Sequence, residues 1–465
     1  MSEGASGAQF SAADESPYNG MTAEASGSAR IYQAGRDQVI YEQNPPFYLS
    51  QVPLSAPVLE TRRIRPSRML RANLELVPFS GRETELAQLK KWRDTAVTRT
   101  AVYLIHGPGG QGKTRLVMQL ARMWAAEGWY PLQAFSLHDF KGLGAADMTP
   151  EDPHDGALIV VDYAERWETD DLLALLRMTE DRGGPVRIIL LSRPAGTWWQ
   201  ALFYQIERCF DVTVDQMYLA PLADSPGDRL RLFEEARDIF GRRLGVHDPT
   251  YIRPPRDLAK SAGYSQVLTI HMAALAAVVA FIEADYPPRD PAELSAFLLA
   301  RERDHWLAMH SRRDDPIRTP PDVMRQTVYT AALTGPLSYK DAVSALEYAQ
   351  VESSELPGQL IRDHSRCYPR NDDDNVLEPL YPDRLGEDFI ALTTPGHHNS
   401  GYPPDPWAYG ALTRLISRPK TLPWALSMET LLAEIGSRWP HMEALAQGGR
   451  AATGRHHRRL QADLD

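Results

Sequence analysis

The 465-residue sequence predicts an α/β protein: a parallel sheet covered by helices on both faces, followed by a helical half. Three observations predict it. Between residues 72 and 245 short apolar runs alternate with helical spacing, the βαβ pattern of a parallel sheet. Past about residue 225 the strand signal fades and helical spacing takes over. Between the first apolar run and the helix after it lies "GPGGQGKT", residues 107–114, a glycine-rich turn of the G-x-x-x-x-G-K-[ST] form.

In chain order, residues 1 to about 29 are rich in Ser, Gly, Ala and Glu and are expected to be disordered. In "ARIYQAGRDQVIYEQ", residues 29–43, two short β-prone stretches flank "AGRD", which reads as a hairpin or a lone strand. A Pro-punctuated linker leads to "TRRIRPSRMLR", Thr61 to Arg71, read as a solvated, flexible charge cluster in preference to a nucleic-acid or lipid contact. "TAVYLIHG", "YPLQAFSL", "GALIVVDYAE", "PVRIILLSRP" and "VTVDQMYLAPL" are five strands, the first a continuous apolar run as a doubly covered strand requires. Helices fall between them, as at "ETDDLLALLRM" and "GTWWQALFYQI". Beyond them "DRLRLFEEARDIFGRRL", "SQVLTIHMAALAAVVAFIEA", "AELSAFLLARERDHWLAMH" and "PDVMRQTVYTAAL" carry helical spacing. The expected organisation is an N-terminal region 1–75, a P-loop domain 76–245, a helical subdomain 246–335, a small winged-helix-like module 336–396, and a helical C-terminal region with a loose tail 397–465.

Bulk properties narrow the function. Net charge is −11, and phosphate backbones want a basic face, so a general nucleic-acid binder is disfavoured. Cys209 and Cys367 cannot build a disulfide framework, which points to a reducing compartment. The first twenty residues lack a basic head followed by an apolar core, unlike a secretory signal. "MAALAAVVAFIEA", Met272 to Ala284, is too short to span a bilayer and reads as a buried helix. The expectation is a cytoplasmic protein.

The loop Gly107-Pro108-Gly109-Gly110-Gln111-Gly112-Lys113-Thr114 follows an apolar strand and opens an apolar-periodic helix. In that setting the glycines let backbone N–H groups and the helix N-terminus cradle a β-phosphate. Lys113 would reach the β- and γ-phosphates, and the Thr114 hydroxyl would ligate Mg²⁺. In "LIVVDYAE" Asp162 closes an apolar strand, where a carboxylate can hold Mg²⁺ through water. These residues predict a P-loop NTPase using ATP or ADP with Mg²⁺. "YPLQAFSL" lies between the two motif strands in sequence. An inserted strand marks the additional-strand (ASCE) ATPases, whereas nucleotide kinases and small GTPases set the motif strands side by side. Such ATPases also need a carboxylate to orient the attacking water. Tyr163 follows Asp162, so the adjacent acid is missing; Glu165 is the nearest candidate, the alternative being a helix N-terminal acid favoured by the dipole. Arg193 in "LLSRP" ends the fourth strand, where a guanidinium could sense a γ-phosphate; a surface salt bridge is the alternative.

With these residues the chain resembles a STAND ATPase of the NB-ARC type, the nucleotide switch of NOD-like and apoptosome-like proteins, over about residues 78 to 395. "VPFSGRETELAQLKKW", Val77 to Trp92, is similar to the family's F-x-G-R-E-x-E-L opening, whose backbone lines the adenine pocket; the resemblance implies nucleotide contacts at Val77 and Arg82. "LAPLADSPGDRLRLFEEA", Leu219 to Ala236, resembles the segment that closes the sheet and enters the helical subdomain. The family's G-x-P motif has no counterpart, since Gly263 is followed by Tyr264, Ser265 and Gln266, and no adenine contact is carried onto it. Nor is there an M-H-D string. His364 in "IRDHSRCYP" and Asp383 in "LYPDRLGEDFIAL" stand nearest and read as structural. The stretch 29–43 is similar in size and character to short amyloid-type motifs that precede NB-ARC modules in bacteria; a strand packed on its own domain, or disorder, is the alternative.

The resemblance implies a regulatory switch with slow hydrolysis, in which nucleotide exchange controls self-association or a signalling partner. A phosphotransferase is the second reading; "RRDDPIRTPPDVMR", Arg312 to Arg325, is its nearest approach to an Arg-bearing lid. A transcription regulator is the third, weakened by the acidic balance and by "NDDDN", residues 371–375.

Overall fold

The computed structural model describes residues 46–56, 65–136, 155–180, 183–193, 195–369, 375–417 and 422–443. The expectations for residues 1–43, for the C-terminal tail and for the acidic run 371–374 lie outside the described residues.

All five predicted strands form: β2 (Thr100–His106), β3 (Trp129–Ser136), β4 (Gly156–Val161), β5 (Val186–Ser192) and β6 (Thr213–Tyr218). A sixth, β1 (Phe47–Gln51), lies in the stretch read as linker. Its inward residues Phe47 and Leu49 are buried, while Tyr48 stacks on Phe135 at 4.9 Å. One sheet runs in the order β1-β3-β4-β5-β2-β6, parallel throughout except for β1, which pairs antiparallel with β3 from Phe47 opposite Ser136 to Gln51 opposite Leu132. The strand wedged between β2 and β4 is β5, and β3 lies on the far side of β4. The additional-strand arrangement holds, with a different strand inserted from the one sequence order suggested. The crossover from β2 to β3 skips two places, and β4 and β5 then fill them stepping back.

Both faces are covered. Val102 and Leu104 point into a core with residues of α3 (Thr169–Glu180) and α4 (Thr197–Cys209). Ala101, Tyr103 and Ile105 point the other way, onto α1 (Glu83–Thr95) and α2 (Lys113–Ala126). With both faces covered, β2, β4 and β5 are nearly unbroken buried runs.

The second half is helical: α5 (Pro226–Arg243), α6 (Val267–Glu283), α7 (Pro291–His310), α8 (Pro321–Thr334), α9 (Tyr339–Ala349), α10 (Pro357–Cys367), α11 (Asp383–Thr393), α12 (Pro406–Ile416) and α13 (Ala425–Arg438). A two-residue antiparallel ladder joins β7 (Leu337–Ser338) to β8 (Asn375–Val376) around α9 and α10. Helix α6 is apolar almost all round and buried from Met272 to Ala280, so it is the central helix of this half.

The arginine cluster is not a solvated strap over its described part. Arg65 donates to Glu302 on α7 at 2.8 Å and lies 4.1 Å from the Tyr368 ring centre, and Ser67 also bonds Glu302. Arg71 stacks on Tyr381 at 4.6 Å. Glu302 is fully buried, and an unpaired buried carboxylate would be costly, so the strap's cation is drawn in. Cys209 is exposed and Cys367 buried, both unlinked.

Candidate nucleotide site

The P-loop hangs from the C-terminal end of β2 and turns into α2. Gly107 has φ of +156°, and a Cβ there would meet the Leu219 carbonyl at 3.1 Å. Gly110 has φ of +78°, and its Cβ would meet Leu268 at 3.1 Å. Both positions therefore require glycine. The loop is braced on two sides: Leu268 N–H on α6 donates to the Gly110 carbonyl at 3.1 Å, and Arg82 reaches the Gln111 carbonyl at 3.3 Å. Arg82 itself is buried and holds Glu85 at 2.7 Å. The contact from α6 comes two residues after Gln266. Gln111 is buried, with no partner for its Oε1 among the described residues.

Lys113 turns back into the loop and donates to the carbonyls of Gly107 at 2.7 Å and Pro108 at 3.1 Å. Burial lowers its pKa to about 8; Asp162 opposes this and Arg193 adds to it. Thr114 donates its hydroxyl to Asp162 Oδ2 at 3.0 Å, which brings the two expected Mg²⁺ ligands together. Burial raises the Asp162 carboxyl against the hydrogen bond from Thr114 and the charge of Lys113. Two hard oxygen donors side by side fit Mg²⁺, which takes one or two protein oxygens and completes its shell with water and phosphate. No cluster of three or more acidic, His or Cys side chains able to hold a metal occurs among the described residues, so the phosphates would have to supply part of that shell.

Val77 is buried, and its carbonyl accepts Arg115 Nη2 at 2.9 Å, so the expected adenine-lining backbone sits against the first turn of α2. His271, one turn along α6 from Leu268, has its Nε2 enclosed without a partner among the described residues. Burial lowers its pKa to about 4, helped by Arg115.

At the opposite end, Tyr163 stands next to Asp162 with φ of +53° and donates its N–H to Asp162 Oδ1 at 3.0 Å. Its hydroxyl bonds Asp383 at the start of α11. Glu165 accepts the Arg193 N–H at 3.4 Å and its Oε2 is enclosed; burial raises its pKa. Arg193 is 8 % exposed, and a Cβ on Gly109 would stand 3.7 Å from its guanidinium carbon. Its partners come from the helical half: Glu387 on α11 at 2.5 Å, Asp383 at 3.6 Å, and Glu434 on α13. Arg438 pairs with Glu387 from the other side at 2.5 Å. Burial first, then the carboxylates of Glu387 and Asp162, push the Asp383 carboxyl up to about 7 against Lys113, although 32 % of its side chain stays open.

Sequence reasoning placed the loop, Lys113, Thr114, Asp162, Glu165 and Arg193 at one end of the sheet, and the structure gathers them. It missed Glu387 and Glu434. The hint was the i, i+4 spacing of Asp383 and Glu387, which sets both acids on one helix face. His364 is not gathered: it lies buried in α10, stacked on Tyr368 at 4.9 Å, with burial lowering its pKa to about 3. In the segment 312–325, Arg325 pairs with Asp405 at 2.9 Å. No helix among the described residues is long and apolar enough to cross a membrane.

No family model matches the chain, and no curated protein matches it. Among solved structures, the ORC2 protein of Aeropyrum pernix, in ADPNP and ADP complexes, is 12 % identical, with 72 % of this chain and 94 % of that one covered at a TM-score of 0.32. The ORC1 protein of the same organism, in complex with DNA, is 15 % identical over 69 % and 94 % at 0.31. NtrX from Brucella abortus, in complex with ATP, is 16 % identical over 65 % and 72 % at 0.32. The P-loop NTPase fold of this chain stands on its own strand order and loop placement.

Proposed function

We propose that the chain is a nucleotide-operated regulatory switch of the STAND NB-ARC type, a slow Mg²⁺-dependent ATPase whose bound ADP or ATP controls self-association or a signalling partner. One observation carries the reading: Arg193, pressed against the phosphate loop, is held by carboxylates from α11 and α13. A γ-phosphate would seek the same guanidinium, since arginine pairs with phosphate as it does with carboxylate. The helical half and the terminal phosphate therefore compete. A diphosphate leaves the clamp closed, and a triphosphate pulls Arg193 away from it. A ligand shifts such an equilibrium only through its different affinity for the two states, and the γ-phosphate supplies that difference.

In this reading the backbone of Gly107–Gly112 and the N-terminus of α2 hold the β-phosphate, and Lys113 exchanges its loop carbonyls for phosphate oxygens. Thr114 and Asp162 would hold Mg²⁺, which would neutralise phosphate charge. Val77 and Arg82 would border the base. Glu165 is enclosed, and no acid follows Asp162, which fits a setting that is held better than a fuel that is spent.

The test is nucleotide content and turnover of the purified protein beside Lys113→Ala. The switch reading expects co-purified ADP, turnover well under about one per second, and loss of both in the variant. Fast turnover with no retained ADP would overturn it.

A further inference from the structure

Tyr163 takes the place where an acid beside Asp162 would orient the attacking water. Its backbone is left-handed at φ +53°, a conformation that costs a non-glycine residue energy and collects at functional sites. Two bonds hold it there, its N–H on Asp162 Oδ1 and its hydroxyl on Asp383 Oδ2, while Arg166 lies 4.2 Å from its ring centre. The tyrosine thus ties the carboxylate of Asp383 to the metal-binding end of the site. Asp383 also stands 3.6 Å from Arg193, which itself lies against Gly109 of the loop. The two nearby acids differ in access. Glu165 Oε2 is enclosed, whereas Asp383 keeps 32 % of its side chain open, so a water can reach it.

We propose that Asp383 supplies, from the helical half, the water-orienting carboxylate that is missing after Asp162, and that Tyr163 positions it. The inference rests on the P-loop being a triphosphate-hydrolysing site. In the step, a water O–H bond breaks and its proton passes to the Asp383 carboxylate while the water oxygen bonds the γ-phosphorus. The bridging P–O bond breaks, and its electron pair stays on the β-phosphate oxygen of the leaving diphosphate, beside Lys113. Hydrolysis then requires α11 to be seated on the sheet. The closing that cleaves the triphosphate is the closing that returns Arg193 to its carboxylates.

The experiment is single-turnover ATP hydrolysis on the full chain, with the retained nucleotide identified afterwards, for the wild type, Asp383→Asn, Asp383→Glu, Tyr163→Phe and Glu165→Gln. Asp383→Asn is expected to bind ATP, keep it uncleaved and react at least 100-fold more slowly, the usual loss of a general base. Asp383→Glu should recover part of the rate. Tyr163→Phe, which keeps the acid and removes its tether, should slow hydrolysis about tenfold and guards against a folding defect in the first variant. Glu165→Gln should lose less than Asp383→Asn. Hydrolysis by Asp383→Asn at or above the wild-type rate overturns the assignment and leaves Asp383 as a tether on Arg193. A wild type that neither binds nor cleaves ATP overturns the nucleotide reading itself.

Discussion

Strand β5 carries one buried arginine at its second position and is followed by another, and the two are satisfied in opposite ways. Arg187 is 4 % exposed and Arg193 8 %. Among the described residues Arg187 donates to backbone carbonyls alone: Arg93 at 3.1 Å and Ala96 at 3.4 Å near the C-terminus of α1, and those of Thr98, Arg99 and Val186. The negative end of the α1 dipole supports the cation, and burial lowers its pKa. Arg193 is instead held by side chains from α11 and α13, Glu387 lying 194 residues away in sequence. Carbonyls fixed by the fold cannot be traded for a ligand, but carboxylates on another module can. One end of the strand is anchored and the other is negotiable.

Breaking the anchored end should have the largest effect. Arg187→Leu leaves several carbonyls without a donor, and we expect a loss of about 3 kcal/mol in urea unfolding. Nucleotide preference should not change in the molecules that fold. Arg193→Met should instead weaken ATP relative to ADP by about 30-fold, the roughly 2 kcal/mol of a charge-assisted contact, in competition binding. Loss of equal affinity for both nucleotides would remove the contrast between the two ends. Glu434→Gln frees Arg193 from one competitor and should raise ATP over ADP by about tenfold, roughly 1.4 kcal/mol.

A smaller effect follows from Asp383. Its carboxyl titrates near 7 in the folded chain, against about 4 when unfolded. The folded state therefore binds a proton that the unfolded state has released across that window. The stability it contributes is complete below pH 4 and is lost as the pH rises through 7. Asp383→Asn should lessen the fall in urea midpoint between pH 5 and pH 8. The smallest effect is expected at His364, whose ring nitrogens are buried without partners among the described residues. His364→Phe should change stability by under about 1 kcal/mol and leave nucleotide binding alone.

Much of this was legible in the sequence. Doubly covered strands write themselves as unbroken apolar runs, so β2, β4 and β5 could be read directly. The loop, Lys113, Thr114 and Asp162 were legible because close backbone wrapping demands glycine at fixed spacing. Strand β1 was not: five residues between prolines carry little periodic signal. The position of β5 was hidden because strand order in space is set by crossovers that leave no mark on composition. The charged partners were hidden for a similar reason. A run of arginines at 61–71 looks solvated until Glu302, 237 residues beyond Arg65, appears beside it. Nothing near Arg193 announces Glu434.

The antiparallel β1 also bears on where the chain can be cut. Its five residues cover the outer rim of β3 from Leu132 to Ser136. A fragment beginning after residue 56 would keep the P-loop and every parallel pairing, yet it would leave that rim's N–H and C=O groups bare. Bare rims of this kind recruit strands from neighbouring copies. Shortened versions made for biochemistry should therefore start ahead of Phe47, because those that start later invite clumping that has nothing to do with nucleotide.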